Sequence, residues 1–239
     1  MAIKALLPKT HQGWVRDRFA TEVATLQSIS HPNIVPIADW WVDREGTPFL
    51  VKPLLNGMPL RALLDAGPLQ PPQLATLLRQ LASALQQIHT RGIIHRDIKP
   101  ENILVVPGAA GEQAVPIDFG SAGLDGGQQG TTTNFGVTYH YMAPERLMGR
   151  YGPAGDLYAL AVVALECLSG YRAIELRTLP SDPEFRAVLI DALQPALGTR
   201  AADVAATLQP CFESNPNSRA ASVTQWAAEI GALLDRSPA

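Results

Sequence analysis

The sequence predicts an α+β fold in which a small lobe of strands and one helix precedes a larger, mainly helical lobe. Strand patterns and one helix occupy the first third of the chain. There, residues 49–55 (FLVKPLL) have the pattern of a strand that runs into a turn at Asn56-Gly57. Beyond that turn, apolar residues recur mostly at helical spacing.

The composition is that of a globular protein. The chain has 239 residues, of which 46% are hydrophobic and 17% charged, and its net charge is -3. This length can bury a sizeable core. The lack of a basic excess argues against nucleic acid as a partner, and no run of about 18 apolar residues predicts a membrane span. There is no signal-peptide pattern, and two cysteines, Cys167 and Cys211, make no disulfide framework, so we expect a cytoplasmic protein with reduced thiols.

The helical lobe divides into recognisable elements. A helix is predicted from apolar residues at helical spacing, ending at Gly92; these are Leu74, Leu77, Leu78, Leu81, Leu85 and Ile88. Residues 103–106 and 114–118 predict the two strands of a hairpin, and residues 120–136, rich in Gly, Thr and Gln, predict a flexible loop.

Two further helices follow. Residues 156–170 are apolar nearly all round, which places that helix in the core. The last helix opens with a capping box, Ser222 to Gln225, and its apolar face carries four residues. These are Val223, Trp226, Ile230 and Leu233.

The most informative stretch is the polar segment HRDIKPEN, residues 95–102, between two apolar segments. A solvated loop would explain its charge but not its arrangement. Asp97 and Asn102 flank a proline just before a strand, so their side chains are held in place. A carboxylate, a cation two residues on and an amide five residues on suit phosphoryl transfer, which needs positioning and charge neutralisation.

This segment resembles the catalytic loop, H-R-D-x-K-x-x-N, of eukaryotic-type (Hanks-type) serine/threonine protein kinases. Four other motifs of that family stand in the family's order: AIK at residues 2–4, the helical segment that contains Glu22, DFG at 118–120 and APE at 143–145. Lys99 and Thr138 resemble the serine/threonine branch.

The resemblance covers essentially the whole chain. It implies a bilobal protein-kinase-like fold with a truncated N-terminal β lobe and a mainly helical C-terminal lobe. Residues 1–236 would form one kinase domain, with a partial N-lobe and hinge at 1–55 and a C-lobe at 56–236.

The resemblance also implies an activity, the phosphorylation of Ser/Thr hydroxyls on protein substrates with ATP and Mg²⁺ as cofactors. Asp97 would act as the catalytic base and Lys99 would neutralise charge on the transferring phosphoryl group. Magnesium would be held by Asn102 and Asp118.

The same resemblance places the rest of the nucleotide site. Lys4 would hold the α- and β-phosphates and be positioned by Glu22. Pro53 and Leu55 would meet adenine through backbone groups, and Leu104 would join them in binding the cofactor. Lys52 falls at the gatekeeper position, where it could narrow or reshape the back of the pocket.

Other polar residues are expected to serve structure rather than chemistry. In the family, the residue matching His95 packs beneath the DFG phenylalanine, here Phe119, in a stack that takes in Leu26. Asp156 resembles an acid that holds the catalytic-loop backbone. Glu145 and Arg219 resemble a structural ion pair.

The sequence departs from the family at its start, because the family's glycine-rich loop precedes the lysine strand and no such segment precedes Lys4. An alternative function follows, that of a kinase-fold binding or scaffold protein with little or no phosphotransfer. A second hypothesis is that Met1 is an internal valine of a longer chain, since the family motif is V-A-I-K.

Regulation is predicted from Arg96, which precedes the candidate catalytic acid. In the family this pairing accompanies phosphorylation of the activation loop, and an arginine can bind a phosphate through two hydrogen bonds. The candidate acceptors are Thr131, Thr132 and Thr133; the alternative is that three threonines simply fill a polar loop.

Overall fold

The structure is a computed structural model that describes residues 1–5, 14–108, 111–118, 123–124, 138–172 and 184–236. Its first lobe contains strand β1 (Ala2–Ala5), helix α1 (Trp14–Gln27), strand β2 (Asp39–Val42) and strand β3 (Pro48–Lys52). The three strands form an antiparallel sheet in the order β1-β3-β2. The strand predicted within residues 49–55 is confirmed as β3.

One face of this sheet is directed towards the interior. Lys4 lies opposite Leu50, and Ala2 lies opposite Lys52. Because side chains alternate along a strand, these four residues share a face, and Leu50 on that face is only 2% exposed. Both lysines of the sheet therefore lie on its inner side.

The second lobe begins with strand β4 (Met58–Pro59), helix α2 (Leu60–Ala66), helix α3 (Pro71–His89) and strand β5 (Ile93–Ile94). Strands β6 (Ile103–Gly108) and β7 (Gly111–Pro116) form the predicted hairpin, and β4 pairs with the free side of β6. Strand β8 (Gly123–Leu124) pairs with β5. This last pair was not predicted, because residues 123–124 fall in the segment expected to be a loop. The other residues of that segment lie outside the described part.

The remaining helices are α4 (Pro153–Ser169), α5 (Phe185–Leu197), α6 (Ala201–Leu208) and α7 (Val223–Leu234). All of the predicted apolar positions of α3 are buried, and α3 packs against α4 and α7. Helix α4 is buried nearly all round, as its composition predicts. The Ser222 hydroxyl accepts a hydrogen bond from the Gln225 N–H at 3.2 Å, which confirms the predicted start of α7.

Both cysteines are free and buried. Burial raises the pKa of Cys211 to about 12, so this thiol stays protonated at neutral pH. Among the described residues, no helix combines the length and the apolar character needed to cross a membrane.

A buried ion pair joins the short helix Pro144–Met148 to the chain before α7. The Arg219 guanidinium donates to both Glu145 carboxylate oxygens, at 2.7 and 2.8 Å, and also to the Ala154 carbonyl oxygen at 3.0 Å. The predicted Glu145–Arg219 pair is confirmed. Because both partners are buried, each depends on the other for its charge compensation.

Replacing Glu145 with alanine should lower the free energy of unfolding by about 3–5 kcal/mol, because the buried Arg219 guanidinium loses its counter-charge. Urea denaturation measures this loss. The matched control is Asp235→Ala, which removes the acid of the half-exposed pair with Arg79 and should cost at most about 1 kcal/mol. Equal losses in the two variants would contradict the prediction.

Candidate active site

The backbone of residues 95–97 is held by one buried acid at the start of α4. Asp156 accepts hydrogen bonds from the His95 and Arg96 N–H groups at 2.9 Å each, and from His89 Nε2 at 2.8 Å. The predicted role of Asp156 is confirmed. Arg96 has a φ of 69°, a left-handed conformation that side chains other than glycine rarely adopt. The contacts with Asp156 stabilise this turn and so fix the direction in which Asp97 leaves it.

Asp97, Lys99 and Asn102 come together as the motif predicts. Asp97 is 6% exposed, and its Oδ2 lies 3.0 Å from Lys99 Nζ. Asn102 Nδ2 donates to Asp97 Oδ2 at 2.7 Å and to the Asp97 carbonyl oxygen at 2.9 Å. The short helix Pro100–Asn102 makes this return possible. Asp97 Oδ1 is buried and makes no hydrogen bond within the described part of the chain.

Asp118 lies just beyond the end of β7, and the preceding residue, Ile117, connects it to the segment 95–102. The Ile117 N–H donates to the Asn102 carbonyl oxygen at 3.0 Å. The Asp118 carboxylate forms an ion pair with Lys4, and the two side chains are 31% and 42% exposed. The structure therefore joins Lys4, Asn102 and Asp118 in one region. The side chain of Glu22, the predicted partner of Lys4, lies outside the described part.

Lys52 lies behind this ion pair. Its Nζ donates to the Ile117 carbonyl oxygen at 3.1 Å. Burial lowers the pKa of Lys52 to about 8; Asp118 acts in the opposite direction, and Lys4 lowers it further. At neutral pH, Lys52 is therefore still protonated in most molecules.

His95 is fully buried, and its Nδ1 accepts from the Asp97 N–H at 3.4 Å. Burial lowers its pKa, so the imidazole is neutral near pH 7. This environment agrees with the structural role expected for His95. Phe119, its expected stacking partner, lies outside the described residues.

The residues expected to meet adenine lie at a small apolar cluster. Leu55, Leu104 and Ile117 are partly buried and pack against three buried valines, which are Val35, Val106 and Val115. Pro53 is partly buried at the start of the segment that connects β3 to the second lobe. The arrangement leaves an apolar surface beside the polar groups of the loop.

Arg96, the predicted regulatory residue, stacks on an aromatic ring. Its guanidinium carbon lies 4.4 Å from the centroid of the Tyr151 ring, and that of Arg146 lies 5.6 Å from the same centroid. Arg146 also donates to the Arg96 carbonyl oxygen. The threonines proposed to accept phosphate, at 131–133, lie outside the described part.

Sequence reasoning missed a buried polar network beside the loop. Tyr141 donates its hydroxyl to Glu166 Oε2 at 2.5 Å, and Arg61 Nη1 contacts Glu166 Oε1 at 2.5 Å. Burial and the Glu166 carboxylate raise the pKa of Tyr141, so the phenol stays protonated. The sequence did contain a signal for this network, which was Glu166 inside the apolar helix α4. A buried carboxylate requires hydrogen-bonding partners.

A lysine on a small sheet, a fixed aspartate loop and a second aspartate after a hairpin form the arrangement typical of the protein kinase class. Residues 1–229 match the family model of the protein kinase domain. The chain belongs to the protein kinase family.

Three similar proteins are bacterial serine/threonine-protein kinases. The chain is 41% identical to serine/threonine-protein kinase PknD of Mycobacterium tuberculosis over 187 residues, which are 75% of this chain and 27% of the relative. It is 37% identical to serine/threonine-protein kinase pkn2 of Myxococcus xanthus over 176 residues, 71% of this chain and 21% of the relative. Against PknE of M. tuberculosis the identity is 39% over 158 residues, 65% of this chain and 27% of the relative. The aligned part is thus about a quarter of each relative's length.

The contribution of Asp156 to stability should depend on pH. Burial alone would raise the pKa of Asp156, but the hydrogen bond and charge of His89, together with His95, outweigh it and hold that pKa below its ordinary value. The stabilisation is therefore fully present above the unfolded pKa, at about pH 4, and is lost as pH falls through the folded pKa.

Accordingly, Asp156→Asn should lower the free energy of unfolding by about 2–4 kcal/mol at pH 7, because an amide has one acceptor oxygen where the carboxylate has two. Urea denaturation between pH 3 and pH 7, compared with the exposed control Asp191→Asn, measures the difference. The gap between wild type and Asp156→Asn should narrow below about pH 4. If the difference in free energy of unfolding stayed constant from pH 3 to pH 7, the charge of the carboxylate would not be the source of the stabilisation.

Proposed function

We propose that this chain transfers the γ-phosphoryl group of ATP to serine or threonine hydroxyls of protein substrates. The observation that carries the proposal is the unequal hydrogen bonding of the two carboxylate oxygens of Asp97. One carboxylate oxygen is held by Lys99 and Asn102, while the other is buried and makes no hydrogen bond within the described residues. A buried acceptor of this kind is costly unless a substrate group completes it.

Asp97 Oδ1 would accept a hydrogen bond from the attacking hydroxyl and orient it, taking its proton as the phosphoryl group is transferred. Lys99, 3.0 Å from the other oxygen, would bring positive charge to the transferring group. Both tasks need a fixed loop, and the contacts of Asp156 with the loop backbone supply one.

The residues present fit magnesium and the nucleotide. Both amide hydrogens of Asn102 are used on Asp97, which leaves its carbonyl oxygen as a hard ligand beside the Asp118 carboxylate. Magnesium would neutralise phosphate charge when bound. Lys4 would hold the α- and β-phosphates, which requires it to release Asp118.

The adenine would meet the Pro53 carbonyl oxygen and the Leu55 N–H, with Leu104 on one face. Proline lacks only the N–H, so its carbonyl can still accept a hydrogen bond. The apolar cluster that includes Leu55 and Leu104 supports this placement. Glu22 is proposed to position Lys4.

The proposal predicts that Asp97→Asn lowers the rate of phosphotransfer by about 100- to 10,000-fold, because the amide cannot take the hydroxyl proton. Transfer to a serine- and threonine-containing model protein is measured by mass spectrometry, and nucleotide binding by the thermal shift with Mg-ATP. The shift should persist in the variant. The exposed control Asp203→Asn should match wild type in both measurements.

Two outcomes would contradict this assignment. Turnover by purified Asp97→Asn near that of wild type would exclude Asp97 as the proton acceptor. A wild-type protein that shows neither a thermal shift with Mg-ATP nor phosphotransfer would instead support a binding or scaffold protein with a kinase fold.

Arg96 is proposed to bind phosphate on the activation loop, with Thr131, Thr132 and Thr133 as acceptors. Its guanidinium is held over Tyr151, where Arg146 adds a second positive charge. Two guanidinium groups at one ring make a favourable environment for a dianion.

Mass spectrometry of protein incubated with Mg-ATP should therefore find phosphate on at least one residue among 131–133. The same protein carrying Asp97→Asn should remain unmodified there, which separates self-phosphorylation from modification during expression. An active preparation without phosphate at these threonines would rule out the regulatory proposal.

A further inference from the structure

Lys52 lies on the inner face of the small sheet, two positions from Leu50, the residue opposite Lys4. Its ammonium group donates to the carbonyl oxygen of Ile117, the residue before Asp118. The same Ile117 donates its N–H to Asn102. One peptide segment thus connects Lys52 to both residues proposed to hold magnesium.

Charge connects Lys52 to Asp118 and to Lys4. Asp118 raises the pKa of Lys52 and Lys4 lowers it, so the three charges are within electrostatic reach of one another. The cluster formed by Lys4, Lys52 and Asp118 contains two cations and one anion. The positive charge of Lys52 opposes a metal ion at Asp118 and attracts polyphosphate.

The two lysines differ in how easily they can leave their present partners. Lys4 is 42% exposed on strand β1 and pairs with a side chain that is itself 31% exposed, so it can exchange Asp118 for phosphate. Lys52 is buried enough for burial to lower its pKa, and it donates to the carbonyl oxygen of Ile117, whose N–H is itself bound to Asn102. The charge of Lys52 therefore stays in place when Lys4 turns to a nucleotide.

We propose that Lys52 sets the preference of the site for nucleotide over free metal. Its fixed positive charge disfavours a divalent cation at Asp118, and it favours the negatively charged polyphosphate. The inference rests on the proposed function, because it assumes that ATP and magnesium meet at Asp118. It assigns to Lys52 a role in selecting the metal–nucleotide complex over the free metal.

The test measures two affinities separately. Binding of Mn²⁺ alone is followed by the electron paramagnetic resonance signal of free Mn²⁺, and binding of metal-free ATP is followed by equilibrium dialysis in EDTA. The variants are Lys52→Met, which keeps the apolar stem, Lys52→Gln, which keeps a hydrogen-bond donor, and Lys52→Arg, which keeps the charge. Thermal unfolding verifies that each is folded.

Loss of the charge should tighten Mn²⁺ binding and weaken binding of metal-free ATP, each by about three- to tenfold. Lys52→Arg should stay near wild type. The control Arg44→Met removes one positive charge from the exposed turn between β2 and β3 and should change neither affinity.

A structural role for Lys52 would produce a different pattern. If both affinities fell together in Lys52→Met and Lys52→Gln, Lys52 would serve only to hold Ile117. If neither changed while wild type bound both ligands, the charge would be irrelevant and the inference wrong. A wild type that bound neither Mn²⁺ nor ATP would contradict the proposed function itself, and this inference with it.

Discussion

The buried carboxylate of Asp156 is the constraint on which the geometry of the site depends. It lies in the first turn of α4, 2% exposed, where the helix N-terminus favours negative charge. Its hydrogen bonds to the His95 and Arg96 N–H groups are charge-assisted and compensate the left-handed conformation of Arg96, whose cost is about 1–2 kcal/mol. A helix that is apolar and buried nearly all round thereby carries the acid that fixes a polar loop.

The same loop also positions Asp118, through Asn102 and Ile117. Asn102 turns back to Asp97 through its side chain, and its carbonyl oxygen accepts the Ile117 N–H. Asp118 therefore takes its place from the same segment that places Asp97, although the two residues belong to different elements. The candidate proton acceptor and the candidate metal ligand are thus joined through Asn102, by its side chain on one side and by its carbonyl oxygen on the other.

The sequence predicted those elements and residues that have a local signal, such as periodicity, composition or a motif. Spacing identified α3 and α7, apolar composition identified α4, and the motifs predicted that Asp97, Asn102 and Asp118 belong to one site. The pair β5–β8 was missed because a two-residue strand has no periodicity to detect. The contacts of Glu166 with Tyr141 and Arg61 were missed because they join positions far apart in the chain, where one sequence carries no signal of pairing. The same holds for Lys4, which contacts Asp118 across the two lobes.

The two acids of the site differ in burial, and this difference matches their roles: Asp156 holds the structure, and Asp118 is proposed to bind a ligand. Asp156 is enclosed, so replacing its partners would leave a buried charge, and such pairs are expensive to break. Asp118 is 31% exposed and pairs with a lysine that is 42% exposed, and pairs of this kind open at a cost of about 1 kcal/mol or less. In the proposed function, Lys4 and Asp118 can therefore release each other and turn to a nucleotide and its metal, while the loop that carries Asp97 stays fixed to the helical core.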